Sequence, residues 1–168
     1  MLPEREKFYE QATQKLLATI DKMKMDKFRR VRARNLVLLF RDKFKLPEIK
    51  HAVFEPDLTK EKIAALTYDS DAFCRVASIN FALMMGGAPE WKLMYIDKMW
   101  TYGPHHYLVH MPSNTIFDLT YDQYAHAGID IRYDLGRQIS YDIDEEEATQ
   151  RFAKKLGLTS LVFNKQKD

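Results

Sequence analysis

Asp69-Ser70-Asp71-Ala72-Phe73-Cys74-Arg75-Val76-Ala77-Ser78-Ile79-Asn80-Phe81-Ala82-Leu83-Met84-Met85-Gly86-Gly87 reads as one helix with both ends specified. Asp69, Ser70 and Asp71 are N-cap candidates, and Gly86-Gly87 supplies the left-handed exit. Apolar residues surround nearly the whole cylinder, and only Arg75, Ser78 and Asn80 interrupt them. A helix apolar on almost every side is a buried one. Cys74, the only cysteine of the chain, sits in its first turn. With Asp71 as N-cap it is the third helical residue, beside free amide N–H groups and the positive end of the dipole. That setting lowers a thiol's pKa and favours the nucleophilic thiolate.

The whole chain has 168 residues, 46% hydrophobic and 30% charged, which suits a single globular domain with a proper core. No apolar run reaches the roughly 18 residues of a membrane span, so no membrane partner is expected. One cysteine forms no internal disulfide, and a cytoplasmic protein is the expectation. Net charge is +2 but uneven, because Lys22 to Lys45 holds ten Lys/Arg against Asp26 and Asp42. Nucleic acid is not the expected partner of this stretch. A basic helix face docked on an acidic body is the simpler reading.

Tyr9, Ala12, Leu16, Ile20 and Met23 recur at steps of three and four, predicting an amphipathic helix over 4–24. A second helix is predicted over Lys27 to Phe44, with Phe28, Val31, Leu36, Leu39 and Phe40 inward and Pro47 as its stop. These helices form an N-terminal extension, residues 1–45, that could also serve as a protein partner surface. The core is then 46–168. Leu46 to Asp57 reads as irregular, and Asp57-Leu58-Thr59-Lys60 opens a short helix through Leu66. After Gly87 the period changes to that of strands: Trp91–Ile96, a short one near Met99–Tyr102, His105–Met111, Asn114–Thr120 and Ile129–Asp134. Tyr121-Asp122-Gln123-Tyr124 reads as a turn or short helix, and Asp142 opens a last helix closed by Gly157. Helices followed by antiparallel strands make an α+β layout.

The hairpin carries the chemical argument. If Met111-Pro112-Ser113 is a three-residue loop, His110 pairs with Asn114 and His106 stands opposite Asp118. Opposed residues share a face with Cβ atoms roughly 4.5–5.5 Å apart, within carboxylate-to-imidazole reach. His105 would point to the other face. Cys74, His106 and Asp118 then form a nucleophile, base and orienter. His106 and His110 on one strand lie roughly 13 Å apart, too far to share a metal ion. No metal or cofactor site is expected.

Asp71-Ala72-Phe73-Cys74, His106-Tyr107, Ile116-Phe117-Asp118-Leu119-Thr120 and Asp122-Gln123-Tyr124 together resemble the papain-like cysteine hydrolases. The likeness is greatest to their compact transglutaminase-like and YunG-like branch, and it spans about residues 68 to 126. It implies a buried helix with cysteine at its N-terminus packed on an antiparallel sheet. It also implies thioester chemistry on a peptide, isopeptide or other amide, by hydrolysis or by transfer. Papain-like enzymes often carry a glutamine shortly before the cysteine to hold the oxyanion, and this chain has none there. Ser70 and Tyr68 are the candidate substitutes, and Trp100, Tyr102, Tyr107 and Gln123 the candidate groove walls. The other implied reading is an inactive member of the same fold that works as an interaction module.

Overall fold

The computed structural model describes residues 3–99, 103–141 and 147–157. Two long helices come first, α1 (Glu4–Asp21) and α2 (Lys27–Phe44). Asp26 caps α2 by accepting from the Arg29 N–H at 2.8 Å. Tyr9, Ala12, Leu16, Ile20 and Met23 are all buried, as the spacing predicts. On α2 the prediction holds for Leu36 and Phe40, but Phe28 is 88% exposed and Val31 50%. Ala33 and Val37 take the inward places instead, because α2 is rotated so that Arg41 can also face inward.

Pro47 starts a helix rather than merely ending one: α3 is Pro47–Phe54, with proline in its first turn, where the missing N–H costs nothing. The predicted irregular stretch over 46–57 is therefore corrected. Thr59 caps the short α4 (Lys60–Ala64). The central helix, α5 (Cys74–Met84), begins at Cys74 with Phe73 as its N-cap residue. Residues 68–72 form a turn instead of the first helical residues, with the Asp71 carboxylate accepting from the Tyr68 N–H. Ala72 takes a left-handed conformation (φ 71°), which swings the chain sharply into α5. Gly86 and Gly87 both have positive φ and close the helix as expected.

The strands are β1 (Trp91–Ile96), β2 (His105–His110), β3 (Thr115–Phe117) and β4 (Arg137–Ile139), in the antiparallel order β3-β2-β1-β4. The predicted strand at 129–134 is not one. Ile129, Ile131 and Tyr133 alternate because they pack, as an irregular segment ending in a 3-10 turn, against Ile96, Met99, Tyr107 and Tyr124. The expected strand at Met99–Tyr102 lies mostly outside the described residues. Between β3 and that segment sits α6 (Asp122–Ala125), and the last helix is α7 (Glu147–Leu156), ended by Gly157 at φ 74°.

One hydrophobic cluster runs from Tyr9 to Leu156 and takes residues from both N-terminal helices. α5 is buried within it, against β1, β2 and α7, and Asn80 Nδ2 donates to Thr149 O at 3.1 Å to tie α5 to α7. Phe40, Phe44, Phe73, Phe81 and Phe152 meet in edge-on, tilted and stacked pairs, each buried side chain worth about 1.5–3 kcal/mol. Much of the basic stretch is engaged with the body. Arg29 pairs with Glu90, Arg34 with Asp21 and Lys45 with Glu10. The fully buried Arg41 forks onto Asp122 at 2.8 and 2.9 Å. No helix among the described residues is long and apolar enough to cross a membrane.

Candidate active site

The register of β2 and β3 decides which histidine meets Asp118. His110 pairs with Thr115, Val109 with Ile116 and Leu108 with Phe117. The connection therefore has four residues. Met111–Ser113 form a 3-10 turn, and Asn114, left-handed at φ 48°, adds the fourth. A slip of one residue changes which face every side chain occupies. Asp118 consequently shares a face with His105, whose Nε2 lies 2.6 Å from Asp118 Oδ2. The predicted pairing of His106 with Asp118 is corrected to His105 with Asp118. Asparagine tolerates the left-handed region better than other non-glycine residues, so Asn114 was the signal for the longer loop.

Asp118 is also held by the Thr120 N–H at its other oxygen (3.2 Å) and by the Tyr133 hydroxyl at Oδ2 (2.8 Å). With Asp118 bound to Nε2, the other His105 nitrogen is Nδ1, 3.4 Å from Gln123 Nε2. Burial alone would depress the His105 pKa, but the adjacent carboxylate, and then the Cys74 sulfur, raise it to about 10. Burial likewise pushes the Cys74 thiol up. Hydrogen bonds and charge from His105 first, and His106 second, overcome this and bring it to about 5.

His106 plays a different part. Its Nδ1 is 3.9 Å from Cys74 Sγ, and its Nε2 is 3.4 Å from Arg75 Nη1. A guanidinium can only donate, so Nε2 of His106 accepts and Nδ1 carries the proton. His106 thus offers the sulfur a hydrogen-bond donor, while His105 gives its Nε2–H to Asp118.

Tyr68 and Ser70, the candidate oxyanion donors, are engaged elsewhere. Both are buried, and their hydroxyls donate to the Asp122 carboxylate at 2.8 and 3.1 Å. That carboxylate also holds Arg41, so α1, α2 and the turn before Cys74 converge on the first residue of α6. Tyr107 is not a groove wall: it is 1% exposed, and its hydroxyl donates to Tyr133 O at 3.1 Å. Trp100 and Tyr102 lie outside the described residues. Gln123 lines a cavity of about 830 Å³ together with Cys74 and His106. Its Nε2 donates to Thr120 Oγ1 at 2.8 Å and lies 3.4 Å from His105 Nδ1. Cys74 itself heads α5, where the first N–H groups of a helix have no intrahelical acceptor.

A thiol, two imidazoles and a carboxylate therefore gather at the mouth of a buried helix, beside an open cavity, with His106 at the sulfur and His105 on Asp118. Such a set can take a proton from sulfur, hold it and return it to a leaving group. Comparison of the chain with protein-family models, with curated proteins and with solved structures finds no match in any of the three.

Proposed function

We propose that the chain is a cysteine-dependent hydrolase or acyl transferase with a papain-like α+β arrangement, acting on an amide bond through a thioester on Cys74. The observation that carries this reading is the 2.6 Å pairing of Asp118 with His105 beside a helix-heading Cys74, whose thiol the two histidines together bring down to about 5. Cys74 passes its proton to His105 Nδ1, and the thiolate attacks the substrate carbonyl carbon. The tetrahedral oxyanion is held by the Cys74 N–H and the Gln123 amide. Gln123 takes over, from downstream of the cysteine, the task that the upstream stretch lacks a glutamine to perform. Collapse breaks the carbon–nitrogen bond, and the amine leaves with the proton from His105. Water or an acceptor amine then attacks the thioester, gives its proton to His105 and releases the thiolate. His106 holds the thiolate form through its Nδ1–H, and Tyr133 helps to fix Asp118.

p-Nitrophenyl acetate tests the reading. One acetyl group on Cys74, removable by hydroxylamine and absent from Cys74→Ser and His105→Asn, is expected by intact mass. A chain that stays unacylated, or is acylated equally without His105, refutes it.

A second reading, an interaction module that works through the N-terminal helices, is favoured by one observation. Phe28, Val31 and Leu38 form an exposed apolar stripe along α2. It replaces the first reading if Cys74 proves inert while Phe28→Ser abolishes association with a partner.

A further inference from the structure

The cavity beside Cys74 has a composition that restricts what can fill it. Leu58, Leu66, Ala72, Tyr124, Ala127 and Ile129 give its wall a largely apolar character. Polar side chains also border it, and several of them are engaged by the protein. Asp71 accepts from the Tyr68 N–H, His126 stacks flat on the Tyr68 ring at 4.0 Å, and Gln123 donates to Thr120. Arg75 and His106 are joined to one another at 3.4 Å. What this cavity offers is mainly apolar surface, in a volume of the size that holds a drug-sized molecule.

Cys74 is 8% exposed and forms part of the same wall. During a thioester cycle the leaving group departs, whereas the acyl group stays bonded to sulfur until the second step. The group that has to be housed beside Sγ is thus the acyl half of the substrate. Resting on the function proposed above, we propose that the site selects substrates with a bulky apolar acyl group. Two sources share that chemistry, a medium-length alkanoyl chain and the acyl side of a peptide bearing a large apolar side chain. Apolar area removed from water would supply the selectivity, about fourfold in rate for each methylene that becomes fully buried.

The test uses the full chain and p-nitrophenyl esters of acetate, butyrate, hexanoate and octanoate, with N-acetyl-phenylalanine p-nitrophenyl ester as the peptide-like arm. In each case the Cys74 thiolate forms the thioester and expels p-nitrophenolate. Rates are divided by those of the same esters with dithiothreitol, which removes intrinsic ester reactivity. The ratio is expected to rise at least tenfold from acetate to octanoate, to the N-acetyl-phenylalanine ester, or to both, and the faster arm names the source. Ile129→Ser, in an irregular and partly exposed segment, is expected to slow the favoured long ester more than acetate. A flat or falling ratio, with acetate still acylating Cys74, overturns the acyl preference and leaves the thiol mechanism standing. Equal slowing of short and long esters by Ile129→Ser also overturns it. Failure of every ester to acylate Cys74 refutes the mechanism, and the preference falls with it.

Discussion

Replacing His105 with asparagine separates the two adjacent histidines by function. Burial opposes ionisation of Cys74, so the two imidazoles together offset more than the whole fall from 9.0 to about 5, and His105 is the larger contributor. His105→Asn should therefore lift the thiol to about 7 or higher, a hundredfold change in the ionisation constant. At pH 5 the wild-type sulfur is about half ionised, so alkylation by iodoacetamide should slow about fiftyfold or more in the variant. His106→Asn removes only the smaller contribution and should slow it less. In the wild type the reactive pair has a low-pH and a high-pH limit. The thiolate is lost as pH falls through about 5, and the imidazolium is lost as pH rises through about 10. Alkylation should follow the first limit alone, while acyl transfer, which also needs the imidazolium to protonate the leaving group, should fall at both. The assay is the pseudo-first-order loss of free Cys74 from pH 4 to 10, read by mass. A greater loss in His106→Asn than in His105→Asn would refute the register argument, and so would an ordinary thiol titration in the wild type.

Gln123→Ala should lower acylation by p-nitrophenyl acetate about 100-fold or more, as loss of an oxyanion donor does, while iodoacetamide alkylation at pH 6 stays fast. Asp122→Asn leaves the buried Arg41 guanidinium without its counter-charge. It should cost about 3–5 kcal/mol in urea unfolding, much of it recovered when Arg41→Met is added. Ala72→Gly relieves a left-handed alanine and should raise stability by up to about 1 kcal/mol in the same measurement. With Arg29, Arg34, Arg41 and Lys45 engaged internally, retention on DNA should be weak and change little with salt, and a steep salt slope would count against that assignment.

Local chemistry made several features readable from the chain alone. α2 and β1 fall on their predicted residues because helix and strand periods are properties of short windows. Gly86-Gly87 and Gly157 end helices because an unbranched backbone enters the left-handed region at little cost. Cys74 at the head of a buried helix followed from the apolar run beside one cysteine.

What the windows did not contain was decided by contacts between distant segments. α2 turned Phe28 outward because Arg41, thirteen residues on, is drawn to Asp122 on the far side of the core. Tyr68 and Ser70 were claimed by that same carboxylate. Ile129 to Tyr133 alternate like a strand, yet they cover a second apolar cluster instead of pairing. The exchange of His106 for His105 turned on Asn114 alone, since a strand presents alternate residues to opposite faces and one more loop residue reverses the choice. The sequence by itself determined which residue types the site contains, because periods and caps act over a few residues. Only the tertiary structure decided which imidazole meets the carboxylate, because strand register is fixed by pairing and burial across the whole sheet.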